Sequence, residues 1–162
     1  MKSLKVKDIA QIGMMIATIE VAKNALAFLP NVELVTLLFI LYTLTFGRKV
    51  LFVVPAFILL EGTIYGFGLW WVMYLYTWPL LVFITWLFRR QESVLFWSVL
   101  SGVFGLMFGA LCSIPYFIGG GVAAGVAWWI AGIPYDILHC IANFLICLIL
   151  YVPLRGILHK MR

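Results

Sequence analysis

Charge is what this sequence has least of. Only 10% of its 162 residues are Asp, Glu, Lys or Arg, where a soluble domain carries about a quarter. With 65% hydrophobic residues, 17% aromatic residues and a mean hydropathy of +1.14, nearly every stretch between charge clusters is apolar over lengths that suit a bilayer. A soluble domain is excluded, and the class that remains is an all-α polytopic membrane protein, one integral domain over residues 1–162. Cysteine is equally sparse. Cys112, Cys140 and Cys147 lie inside apolar runs without CxxC or Cys/His spacing, which argues against a disulfide framework or a zinc site. Catalytic signatures are missing too: no GxSxG, no HExxH, no acid cluster at metal-ligand spacing and no Walker motif. The basic start leads straight into further spans with no small-residue cleavage site, which sets aside a secretory signal.

Polar breaks divide the chain into six apolar segments: about Asp8–Phe28, Val32–Phe46, Val50–Gly66, Leu69–Phe88, Val94–Ile114 and Pro134–Val152. Pro30 biases Leu29 away from the helix and closes the first. "GRK" and "RRQE" close the second and fourth. The second and third are short for a full crossing and are expected to be tucked among longer neighbours or tilted. Between the fifth and sixth runs a glycine-rich aromatic connection, "PYFIGGGVAAGVAWWIAG".

Cations set the orientation. With both termini in the cytoplasm, the inner segments hold Lys2, Lys5, Lys7, Arg48, Lys49, Arg89, Arg90, Arg155, Lys160 and Arg162, ten of the eleven Lys and Arg. Lys23 is the exception. The positive-inside rule therefore predicts six transmembrane helices with N- and C-termini cytoplasmic. The same clustering beside apolar spans accounts for the net charge of +5 without nucleic acid. Aromatics gather at the outer ends, among them Tyr65, Trp70, Trp71, Tyr74, Tyr76, Tyr116, Trp128, Trp129 and Tyr135, whereas Trp86 and Trp97 are the main ones at the inner ends. An interfacial belt accounts for any one of them; their collection on one side beside glycine-rich loops suits the wall of a pocket for a flat ligand.

Several polar residues interrupt these spans. Glu20 has Lys23 at i+3 and Asn24 at i+4, a spacing that lets acid and cation pair on one helix face. Glu61 has no cation near it in sequence and needs a partner from another helix, water or a proton. In "GIPYDILHCIANF", Asp136, His139 and Asn143 stack on one face at i, i+3 and i+7, descending from the outer mouth. Two readings of that stripe stand side by side, a ligand-binding face and a helix–helix hydrogen-bond network. In "FLPNVEL", Asn31 and Glu33 are either lid or ligand residues or ordinary turn chemistry.

Size, span number and the segments "LPNVELVTLLFILYTLTFGRK", "LLEGTIYGFGLWW" and "GIPYDILHCIANFLICLILYVPL" resemble the S components of energy-coupling factor (ECF) transporters, the substrate-binding membrane subunits of vitamin uptake systems. The resemblance covers nearly the whole chain and rests on architecture more than on any sharp motif. It implies a multi-pass protein of the prokaryotic plasma membrane, not an enzyme and without a cofactor. Such a protein takes a vitamin from outside and works with a transmembrane T protein and two cytoplasmic ATPase subunits. In that family the first helix docks on the T protein through AxxxA. Here "AQIGMMIAT" offers Ala10, Gly13 and Ala17, with glycine in the first position of the best match, a departure that keeps the small-xxx-small physics.

The expected substrate site draws on Asn31, Glu33, Glu61, Tyr65, Trp70, Trp71, Tyr74, Trp128, Tyr135, Asp136, His139 and Asn143. One outer cation, with Glu20 at hand to occupy it, serves a carboxylate or phosphate ligand poorly. The acids and rings favour a neutral or weakly cationic aromatic heterocycle. The competing readings are an intramembrane enzyme using Asp136 and His139 on a lipid-soluble substrate, and a non-catalytic membrane assembly subunit.

Overall fold

The computed structural model describes residues 5–161, so Lys2 and Arg162 of the basic tails lie outside the described residues. These residues form six helices and no strand: α1 (Val6–Ala25), α2 (Val35–Phe46), α3 (Val50–Tyr65), α4 (Leu69–Leu87), α5 (Val94–Cys112) and α6 (Ile114–Met161). Four helical stretches are long and apolar enough to cross a membrane: Val35–Tyr65, Leu69–Leu87, Val94–Cys112 and Ile114–Met161. Helix ends follow the polar breaks of the sequence. Ser93 caps α5 by accepting the amide of Phe96, and "RRQE" leaves the chain between α4 and α5 non-helical.

The first of the four stretches is folded on itself. A 3-10 turn, Gly47–Lys49, separates α2 from α3, and Gly47 takes φ 58°, a backbone state that glycine adopts without a Cβ penalty. At the end of that turn, Lys49 binds Asp8 at 2.6 Å and Gln11 at 2.5 Å in the first turns of α1. Lys23, near the far end of α1, pairs with Glu61, near the far end of α3. Hence α3 runs beside α1 in the same direction and packs directly on it, and α2 runs in the opposite one.

α2 is the centre of the bundle. Large hydrophobic residues lie on all sides of it, interrupted by Thr36, Thr43 and Thr45, as suits a helix enclosed on every side, and Val35 through Thr43 are all buried. It packs on α1, α3, α4 and α6. At 12 residues it is about 18 Å long, short because its neighbours, not lipid, set its limits. The outward faces of the longer helices carry exposed Leu59, Phe83, Ile149 and Val152, a surface that water would penalise and lipid would not.

α5 and α6 form the closest pair. They run antiparallel with Gly109 opposite Asp136, Gly105 opposite His139 and Gly102 opposite Phe144. The connection between the fifth and sixth apolar segments is helical on both sides of Gly121, where φ 77° breaks α6. A straight helix would set Tyr116 and Trp128 about 18 Å apart. Their rings instead stack at 4.0 Å, so Ile114–Gly120 folds back along the turns that follow Gly121.

These connections sort the two ends of the molecule. Lys49 joins the start of α1, whose Gln11 amide reaches the carbonyl of Met161 at 2.8 Å. Glu92 shares a cleft with Arg155 and His159. The basic segments therefore meet at one end. The 26–34 connection, Gly66 and the fold-back at Gly121 occupy the other.

Candidate functional site

The stripe on α6 faces inward. Asp136, His139 and Asn143 are 6%, 4% and 1% exposed, whereas Tyr135, Ile137, Leu138 and Ile141 between and beside them are exposed. Their helix can come this close to α5 because α5 turns a glycine face towards it. A Cβ on Gly105 would stand 2.9 Å from the His139 backbone and 3.1 Å from the Asn143 side chain, and one on Gly109 would collide with the Asp136 carboxylate. Small residues permit the approach, and the approach permits a polar contact: the Gly109 amide donates to Asp136 Oδ1 at 2.9 Å.

Opposite α5, the stripe meets the start of α2. Glu33 accepts the Thr36 backbone amide at 2.9 Å and the Thr36 hydroxyl, satisfying one of the free amide donors in the first helical turn. Its Oε1 also lies 3.3 Å from His139 Nε2. Asn143 Nδ2 donates to Thr36 Oγ1 at 3.3 Å. His139, Glu33, Thr36 and Asn143 thus form a chain of polar contacts between the first connection, α2 and α6. The chain of contacts leaves polar capacity unused, because Asp136 Oδ2, His139 Nδ1 and Asn143 Oδ1 are buried without a hydrogen-bond partner. An unpaired buried polar atom is costly, and three on one helix face form an edge a ligand could satisfy.

Aromatic rings lead to this edge. Trp70 and Trp78 pack on Tyr74 at 5.3 and 5.4 Å, Trp78 packs on Phe108 at 5.9 Å, and Phe108 meets the His139 ring edge-on at 5.2 Å. Phe57 stacks on the other side of Tyr74 at 6.3 Å. The aromatic wall therefore crosses from α4 to α5 and ends on the imidazole.

A second polar cluster sits between α1 and α3. Lys23 pairs with Glu61, which is 1% exposed, and its ammonium also lies 4.3 Å from the centre of the Tyr65 ring. Tyr65 donates to Asn24 Oδ1 at 2.7 Å. The pairing of Lys23 with Glu20 expected from their i, i+3 spacing does not occur, and both Glu20 carboxylate oxygens are buried without a partner. Glu61 is the more deeply enclosed acid, and leaving it uncompensated would cost more than a local pair returns. It obtains the partner from another helix that its isolation demanded.

The twelve expected residues therefore separate. Glu33, Asp136, His139 and Asn143 converge, and Trp70 and Tyr74 connect to them through Trp78 and Phe108. Glu61 and Tyr65 belong to the second cluster. Trp71 donates to the Ile58 carbonyl at 2.8 Å and packs on Phe67, which fastens α4 to α3. Asn31 holds a turn at φ 58° in the connection. Trp128 and Tyr135 are largely exposed, Trp128 stacked on Tyr116. Thr36, Trp78, Phe108 and the facing glycines are additions. The spacing Gly102-x2-Gly105-x3-Gly109 was the available signal for the last of these. Among the described residues no group of three or more His, Cys, Asp or Glu is arranged to hold a metal ion.

On α1, Ala10, Gly13 and Ala17 all face outward, and nothing lies within 4 Å of the place a Gly13 Cβ would take. No protein-family model, no curated protein and no solved structure matches the chain.

Proposed function

We propose that this chain is a substrate-binding S component of an ECF-type transporter. It spans the plasma membrane six times with both termini in the cytoplasm and captures a vitamin-like molecule from outside. The observation that carries the reading is the inward stripe of Asp136, His139 and Asn143. It carries unsatisfied buried atoms and, through His139, meets both an aromatic wall and the first connection at the end opposite the basic segments. The reversal at Gly47 supports counting α2 and α3 as two crossings, and α1 supplies the sixth. The clustering of basic segments at one end supports the cytoplasmic orientation.

The ligand is a neutral or weakly cationic aromatic heterocycle, bound without chemical change. Its face lies against the Trp70–Tyr74–Trp78–Phe108 wall and its polar edge meets the stripe, with Glu33 as the movable partner from the first connection. An anionic ligand is disfavoured because Lys23 is already engaged by Glu61. Transport depends on a T protein, docked through the open face of Ala10, Gly13 and Ala17, and on two ATPases.

Purification of the chain alone, followed by mass spectrometry of any co-purified small molecule and by titration of tryptophan fluorescence, tests this. A saturable, chemically unchanged ligand whose binding quenches fluorescence is expected. Turnover without partners would overturn the reading in favour of an enzyme. A lack of ligand across the heterocycle class, combined with an obligate membrane partner, would favour an assembly subunit.

A further inference from the structure

We propose that the seam between α3 and α4 binds one anionic phospholipid, with an acyl chain along the seam and the phosphate on Arg48, Arg89 and Arg90. Three cavities run in line there. One of about 240 Å³ lies between Arg48, Leu51 and Pro55 on one wall and Pro79, Phe83 and Trp86 on the other. A second, about 470 Å³, shares Phe83 and Trp86 and opens onto Arg89 and Arg90. A third, about 300 Å³, shares Pro55 and Pro79 and continues to Leu59, Trp71 and Leu75. Together they make one groove from the basic end towards the middle of the bundle.

Sequence explains the groove. Each wall carries a proline inside a helix, Pro55 in α3 and Pro79 in α4, whose compact ring removes the bulk that would close the seam and interrupts the local hydrogen-bond ladder. From Arg48 to Leu59 the helical rise is about 16 Å, close to half of a hydrocarbon core of about 30 Å. That is the depth an acyl chain occupies in one leaflet.

The occupant follows from the distribution of charge. The walls are apolar along the whole length, and every charged residue lining the three cavities is an arginine at one mouth. Arg89 is held with its guanidinium 5.3 Å from the Trp86 ring centre, at the rim. A soluble anion would leave the apolar length unfilled. A second copy of the chain would bring arginines against arginines. An anionic lipid satisfies both halves, and basic pockets between membrane helices select such headgroups. None of these residues belongs to the substrate stripe, so the inference does not depend on the proposed transport function.

The test is native mass spectrometry of the full chain, extracted from vesicles of equal phosphatidylglycerol and phosphatidylcholine with matched acyl chains. One retained phosphatidylglycerol is expected, favoured over phosphatidylcholine roughly tenfold. Arg48→Gln, Arg89→Gln and Arg90→Gln together should bring the two lipids to near parity. Leu51→Trp, which plugs the groove, should reduce retention of both. All four residues are exposed, and size-exclusion chromatography verifies that the variants stay monodisperse. Equal retention by the wild type, a preference that survives the arginine substitutions, retention unaffected by Leu51→Trp, or a second copy of the chain in place of lipid would each overturn the proposal.

Discussion

The two buried polar clusters solve the same problem in opposite ways. Between α1 and α3, Glu61 meets a cation, and Lys23 also covers the ring of Tyr65, so the cluster compensates charge with charge. Around α6, Glu33 and Asp136 are held by hydroxyl, amide and imidazole groups with no lysine or arginine among their hydrogen-bond partners. Compensation of the first kind fixes two helices against each other. Both clusters leave buried polar atoms unpaired, Glu20 Oε1, Glu20 Oε2 and Glu61 Oε1 in the first and Asp136 Oδ2, His139 Nδ1 and Asn143 Oδ1 in the second, but only the second set lies on a single helix that an aromatic wall adjoins.

Substitutions that act on this contrast should rank as follows in their effect on the isolated protein. Gly105→Leu is the most severe, because it forces α5 from α6 and dismantles the stripe from behind; an unfolding shift of about 3 kcal/mol or loss of monodisperse protein is expected. Thermal unfolding in detergent measures it, and a variant as stable as wild type would mean that the two helices are not closely apposed. Lys23→Met comes next, at about 3 kcal/mol, because it leaves Glu20 and Glu61 buried without a cation. Glu61→Leu should cost less, since Lys23 can then turn to Glu20. The reverse order in the same unfolding assay would show that the ion pair is not what braces α1 on α3.

His139→Ala and Asn143→Ala should move the unfolding transition of the unliganded protein little, about 1 kcal/mol for the lost contact. Both should weaken ligand affinity at least roughly tenfold, the cost of one unpaired polar contact. Fluorescence titration beside thermal unfolding separates the two effects, and a larger loss of stability than of affinity would make the stripe a brace after all. Gly13→Trp and Ala17→Trp should be the mildest. Both sites are open, so folding should persist, and the proposed docking predicts that co-purification with a T protein is lost while ligand binding is kept. Intact assembly in either variant would remove the open face of α1 from the docking surface.

Much of the architecture was legible because lipid-compatible segments end abruptly at charge. "GRK" and "RRQE" fixed the ends of α2 and α4 to within a residue, and the i, i+3, i+7 spacing placed the stripe on one helical face, which the fold buries. What escaped depends on neighbours distant in sequence. Lys23 chooses Glu61 over Glu20 because α3 lies alongside α1, a relation that local spacing cannot express. The glycines of α5 read locally as weak helix formers, and only a partner helix turns them into a contact surface. Trp78 and Phe108 look like ordinary lipid-compatible aromatics until α4 and α5 bring them together before His139. Trp128 and Tyr135 precede the stripe in sequence, yet their side chains are exposed while Asp136, His139 and Asn143 are buried.

The contact between Glu33 and His139 spans 106 residues, which has a consequence for biosynthesis. A chain emerging from the ribosome completes α2 well before α6 exists. During that interval Glu33 and Thr36 have each other but neither His139 nor Asn143, and the central helix lacks its last neighbour. The polar contacts between the first connection, α2 and α6 can therefore form only after the final helix has been inserted. Chains interrupted before Asp136 would lack both α6 partners of Glu33 and Thr36 and present an incomplete core to the quality-control machinery of the membrane.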